Sequence, residues 1–173
     1  MKKDSLLKLV ALSGVQLIMV LGNSMLIPVF PDMQRALEIS KLQAGLTITL
    51  FSLPAGIVIP IMGFLCDKIG RKKIIVPSLI LYASGGLISG LAVTFFAKSF
   101  PILLLGRVVQ GIGAAGTGPI AMALVSDIFT SNERSKALGS LEAANGLGKV
   151  LSPILGSVIA LIVWYAIFFV YAI

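Results

Sequence analysis

Five long, mostly apolar stretches constrain this chain more than any other feature: Leu9 to Phe30, Leu42 to Leu65, Ile74 to Phe96, Ile102 to Phe129 and Leu138 to Val163. A bilayer core roughly 30 Å thick is crossed by about 20 apolar residues in helical form, and each stretch meets that length. A sixth, WYAIFFVYAI, begins at Trp164 and reaches only about 15 Å at the helical rise. The chain is therefore expected to end within a helix, as a fragment of something longer. Strands of a membrane barrel would be about ten residues with strict alternation, whereas these stretches are longer, continuous and interrupted by Gly and Pro. The fold class expected is all-α, a polytopic membrane helical bundle with five complete spans and the start of a sixth.

Composition agrees. Apolar residues make up 57% and charged residues 12% of the chain, where a soluble domain carries about 25% charge. The opening MKKDSLLKLV has the basic character of a signal peptide. Its apolar run continues past the usual length without a small-x-small cleavage site, so it reads as the first span.

Function classes fall away quickly. With no His and one cysteine, Cys66, no Cys/His nucleophile pair and no zinc site of His and Cys ligands can be assembled. No enzyme, metal or cofactor reading follows. The basic residues flank the apolar stretches instead of forming one patch with interleaved aromatics, which argues against nucleic acid.

The net charge is +7, and its placement is informative because bases near span ends favour the cytoplasmic side. Lys2, Lys3 and Lys8, then Lys68, Arg71, Lys72 and Lys73, then Arg134 and Lys136 fall on one side; only Arg35, Lys41 and Lys98 fall on the other. Nine against three places the N-terminus in the cytoplasm.

Polar and small residues align within the stretches. Ser13, Gln16 and Asn23 share one face of the first; Gly45, Thr49, Ser52, Gly56 and Gly63 recur at helical spacing in the second; Arg107, Gln110, Ala114 and Gly118 do so in the fourth; Glu142, Asn145, Lys149, Ser152 and Gly156 do so in the fifth. Small residues at such spacing permit close helix packing. Charges ask for more. Lys149 lies about 18 Å along the helix from Ala137, and a lysine at that depth costs about 2.5 to 3.5 kcal/mol even on the lowest scales. It should face a polar cavity or a partner acid. Glu142, two turns away, is roughly 10 Å off, which leaves room for a bridge through Asn145 or water. Arg107 enters about 9 Å beyond Pro101, and its five donors need acceptors that lipid cannot offer. Aligned polar faces with buried charge enclose a path for a solute or ion, and transport is the class implied.

Four segments resemble the major facilitator superfamily, specifically its twelve-span drug:proton antiporters. GFLCDKIGRKKII, from Gly63, is similar to the family's motif between the second and third spans. LLLGRVVQGIGAA, Leu103 to Ala115, is similar to its fourth-span motif, and LGNSMLIPVFP, Leu21 to Pro31, to its first-span motif. GKVLSPILGS, Gly148 to Ser157, resembles the fifth-span antiporter motif, with Ser152 and Ser157 where glycines are usual. Those serines are expected to make the helix less able to bend and pack closely.

The resemblance implies that residues 1–173 are the N-terminal half of such a transporter, partnered by a C-terminal half, the lipid bilayer, protons and a small-molecule substrate. It implies a conformational latch of Gly63, Asp67, Gly70, Arg71 and Asp127, in which Asp67 meets a helix N-terminus of the other half and Arg71 bridges Asp67 to Asp127. Proton coupling would involve Arg107, Gln110 and Gly111, while Gly148, Pro153 and Gly156 would shape the fifth span. Face geometry, apart from the resemblance, makes Gln16, Asn23, Glu142, Asn145 and Lys149 the cavity and substrate residues. A pump for cations needs a buried acid, and Glu142 alone is placed for it; Lys149 suits an anionic or neutral solute. The other readings are an uptake or metabolite carrier of the same superfamily, and a non-transporting fragment.

Overall fold

The computed structural model describes residues 3–95 and 99–171. Of the residues named above, Lys2, Phe96 and Lys98 lie outside them. Everything described is helical or a short connection, and five rods are long and apolar enough to cross a membrane.

The first rod is not one regular helix. Helix α1 (Lys3–Ser24) gives way at Met25 and Leu26 to a single 3-10 turn, Ile27–Val29, and then to α2 (Phe30–Leu37). Pro28 and Pro31 explain the interruption, since each lacks a backbone N–H and cannot close an α-helical hydrogen bond. The rod therefore extends past Phe30 to Leu37, carried over Asp32 and Arg35, which pair at 2.8 Å. Glu38 ends it in the left-handed conformation at φ 53°.

Helix α3 (Lys41–Ile69) starts at a reciprocal cap. The Ser40 hydroxyl accepts from the Gln43 N–H at 3.2 Å, and the Gln43 side chain accepts from the Ser40 N–H at 2.8 Å, which satisfies two donors otherwise left over at a helix start. At its far end the chain turns into α4 (Arg71–Phe95) through Gly70 alone, whose φ of +94° suits a residue without a side chain.

The fourth rod also breaks. Helix α5 (Phe100–Ala115) stops at Gly116 and Thr117, and α6 (Gly118–Ile128) resumes with Pro119 in its first turn. Helix α7 (Ser131–Ile162) is unbroken through Pro153; its 32 residues span about 48 Å. Helix α8 (Ala166–Val170) opens the sixth apolar run.

Helix α5 is the centre of the packing, lying against α3 on one side and α4 on the other, while α1 lies along α7. The α4 and α5 backbones approach so closely that a Cβ on Gly85 would sit 2.5 Å from the Gln110 nitrogen, and one on Gly106 2.7 Å from the Gly85 carbonyl. Close approach of this kind is how helices gain packing energy where lipid removes the hydrophobic drive. Leu9 and Leu12 of α1 cluster with Val125, Phe129, Ala137 and Leu141 around the junction of α6 and α7. Towards the opposite end of α1, Met25, Leu26, Val29 and Met33 join Phe51, Tyr82, Leu103 and Phe168.

Candidate functional site

Arg107 is the largest fully buried side chain described. It sits midway along α5, and two other rods come to it, α1 and α3. Its Nε donates to the Thr47 carbonyl at 3.0 Å, Nη1 to Gln110 Oε1 at 2.6 Å, and Nη2 to Asn23 Oδ1 at 3.0 Å. The guanidinium carbon lies 4.6 Å from the centroid of the Phe51 ring, near enough for the ring's negative face to attract it. All three acceptors are neutral. A buried cation is tolerable only when its donors are satisfied, and here the backbone of α3, an amide of α1 and an amide one turn along α5 supply that.

The pairing unites residues that the sequence had placed in separate groups. Gln110 belongs to the predicted proton-coupling set and Asn23 to the predicted cavity set, yet both hold the same guanidinium. Gly111, the third member of the first set, does something different: a Cβ there would overlap the Phe51 carbonyl oxygen. Its lack of a side chain sets the distance between α5 and α3, and so the reach of Arg107 to Thr47.

Asn23 also faces a pocket of ≈ 250 Å³. Gln16, Asn23, Phe51 and Lys149 line it, with Ala114 and Gly118 from the break in the fourth rod. Gln16 is 7% exposed and its Oε1 accepts no hydrogen bond among the described residues. Lys149 is exposed and has no hydrogen-bond or ion-pair partner among the described residues. Three of the five predicted cavity residues thus meet around one space. The other two do not join them: Asn145 donates to Glu142 Oε2 at 3.4 Å, both on α7, and neither lines the pocket.

Along α7, Gly148, Ser152 and Gly156 of the fifth-span motif face the first rod, from α1 to the 3-10 turn. Gly148 packs on Val20, and a Cβ on Gly156 would fall 2.6 Å from the Met25 carbonyl oxygen. Ser152 lies between them with no exposed surface and donates to the Leu21 carbonyl at 2.9 Å. The expected loosening by serine is therefore not seen at Ser152, because the hydroxyl spends its volume on a bond to the facing backbone. Ser157 is exposed and donates to the Pro153 carbonyl at 2.8 Å. That carbonyl lies four residues back on the same helix, and the bond needs no second rod.

The charged loop forms a second constellation. Arg71 Nε lies 2.6 Å from Asp127 Oδ2, joining the start of α4 to the end of α6. Asp67 lines the same ≈ 540 Å³ cleft as Arg71, Asp127 and Gly70 but makes no ion pair among the described residues. The geometry is a pair with a neighbouring carboxylate, where the sequence reading expected Arg71 to touch both. A smaller recess beside it is lined by Gly63, Cys66, Asp67 and Arg71. A Cβ on Gly63 would meet nothing within 4 Å, and the same holds for Gly45 and Gly56. At these three glycines the small face predicted for the second span is therefore not pressed against any described residue; α3 buries the other side, through Ala44, Thr47, Phe51 and Ala55.

Sequence reasoning passed over Thr47, Phe51, Tyr82 and Tyr171. Thr47 and Phe51 are one turn apart on the buried face of α3, and their signal was the four-residue spacing of a β-branched and an aromatic residue. Tyr82 and Tyr171 are buried with ring centroids 6.2 Å apart, and the Tyr171 hydroxyl has no hydrogen-bond partner among the described residues.

The sequence profile of the Major Facilitator Superfamily matches residues 12–173. A bacillibactin exporter of Bacillus subtilis (strain 168) is 46% identical over 162 residues, which is 92% of this chain and 40% of that protein. Multidrug resistance protein 2 of the same organism is 34% identical over 81% of this chain and 34% of its own length. The quinolone resistance protein NorA of Staphylococcus aureus (strain Mu50 / ATCC 700699) is 31% identical over 81% of this chain and 35% of its own. The chain thus spans 40% or less of the length of these relatives. Among solved structures, a bacterial homologue of the human lysosomal transporter Spinster, inward-facing and unoccupied, superposes with a TM-score of 0.78. It is 26% identical, with 91% of this chain and 32% of that one covered.

Proposed function

The chain belongs to the Major Facilitator Superfamily, and from that premise we propose that it forms the N-terminal half of a proton-coupled exporter of small molecules. It is a multi-pass membrane protein of a transporter family, not an enzyme. In this reading a C-terminal half covers the unpacked face of α3 and the exposed length of α7, and solute moves at the interface as the halves rock about a site near the midplane. The N-terminus and the Arg71–Asp127 cleft lie on the cytoplasmic side, as the distribution of basic residues favours.

The single observation that carries the proposal is the position of Asn23, which holds the buried Arg107 guanidinium and also lines the pocket that Lys149 faces. A solute or proton that changes the hydrogen bonding of Asn23 acts on Arg107 directly. Gln110 is the other side chain bonded to Arg107. Proton coupling then acts through Arg107 with its two amide partners. Export, as opposed to uptake, is favoured by the names of the relatives, an exporter and two resistance proteins.

The latch is the part most open to test. Arg71 and Asp127 tie α4 to α6, and Asp67 stands beside them free to receive a helix N-terminus of the other half, where a carboxylate is stabilised by exposed N–H groups. Asp67→Asn is expected to abolish proton-driven efflux by the complete gene product while leaving its membrane insertion and abundance unchanged. Normal efflux by that variant would remove the latch.

A further inference from the structure

The pocket beside Arg107 has a chemical bias that the proposed transport activity does not specify. Its polar lining consists of Gln16, Asn23, Ser24 and Lys149, and no carboxylate contributes to it. Glu142, the acid of the same polar face, is bonded to Asn145 and directed elsewhere. A second cation stands behind the wall: Arg107 reaches the pocket through Asn23 and through Phe51, and its acceptors are all neutral. Two positive charges therefore border a space in which nothing described offsets them. Met19, Val20 and Phe51 complete the lining with apolar surface.

We propose that this pocket takes an amphipathic organic anion, its acidic group drawn to Lys149, its hydrogen-bonding oxygens to the amides of Gln16 and Asn23, and its apolar part to Phe51. The inference depends on the reading of this pocket as part of a water-accessible solute route. An acid supplied from outside this chain to pair with Lys149 is the competing arrangement, and it would erase the positive field.

The field can be measured without knowing the solute. Ser24 lines the pocket and its hydroxyl has no hydrogen-bond partner among the described residues, so Ser24→Cys, in a complete gene product carrying Cys66→Ala, places a small reporter there. Its rates with anionic sulfonatoethyl methanethiosulfonate and cationic trimethylammonioethyl methanethiosulfonate are compared after normalisation to a free thiol. The anionic reagent is expected to be favoured, and Lys149→Ala or the size-conserving Lys149→Gln should lower that preference by roughly fivefold, about 1 kcal/mol of Coulomb energy. A preference for the cationic reagent, or a ratio that neither variant changes, overturns the anion assignment and leaves the route intact. Failure of both reagents to label the native protein, with full labelling after denaturation, would instead remove the route itself.

Discussion

Arg107 and Lys149 are two bases placed deep within apolar rods, and the chain treats them in opposite ways. Arg107 has no exposed surface, three hydrogen bonds and an aromatic face beneath it. Lys149 is exposed to an open pocket and bonded to nothing described. Their helices differ in the same sense. Around Arg107, α5 meets α3 and α4 at glycines that leave no room for a methyl group, whereas on α7 Gly139 and Gly146 face empty space, while Gly148 is pressed against α1 and Gly156 against Met25 and Pro28 just beyond it. A charge built into a tight seam organises the bundle; one left on an open wall is available to whatever enters. In the proposed reading, the difference separates a residue that positions its neighbours from one that would meet a solute.

The comparison can be broken most forcefully at Arg107. Arg107→Ala should lower the stability of the detergent-extracted protein by about 3 kcal/mol, because it opens a cavity and strands the Asn23, Gln110 and Thr47 acceptors. Lys149→Ala should stay within about 0.5 kcal/mol, as substitutions away from packed features do. Equal losses on thermal unfolding would erase the distinction. Arg107→Lys is expected to recover little, since an ammonium cannot reach the three directions that the guanidinium satisfies.

Backbone contact gives the next largest contrast, on one helix. Gly156→Ala places a Cβ 2.6 Å from the Met25 carbonyl and should cost about 2 kcal/mol through overpacking, while Gly146→Ala meets nothing and should be tolerated. Thermal melting of the two variants side by side checks it. Ser152→Ala sharpens the same seam on a smaller scale, with an expected loss of about 0.6 kcal/mol, typical of hydrogen bonds between helices in membranes. Smallest of all is the structural effect of Asp127→Asn. Its pair with Arg71 is half exposed and exposed ion pairs contribute at most about 1 kcal/mol, so its melting temperature should hardly move even if efflux is lost.

Much of this arrangement could be read from residue order. Hydropathy located each rod, because the requirement to cross some 30 Å of hydrocarbon writes itself into run length. It stopped short at Phe30, where Asp32 and Arg35 end the apolar run although the helix continues to Leu37. It also gave no sign of the break at Gly116 and Thr117, which lies within an apolar run. Helical periodicity found the faces bearing Asn23, Arg107, Gln110 and Lys149 but could not say what each face meets. The stripe of Gly45, Gly56 and Gly63 looked suited to helix packing, yet a Cβ at any of the three would meet no described residue within 4 Å. Thr47, by contrast, serves Arg107 through its backbone carbonyl, and a backbone acceptor has no signature in residue type.

Two alanines of the fourth rod offer the most direct measurement. Ala114 of α5 lines the pocket and Ala121 of α6 is buried among Leu9, Leu12 and Leu141 at 1% exposure, so cysteines at the two positions differ chiefly in surroundings. In the native complete gene product, a hydrophilic thiol reagent should modify Ala114→Cys and spare Ala121→Cys. If both stay inert until the protein is unfolded, or both react alike, the helices do not wall an aqueous path.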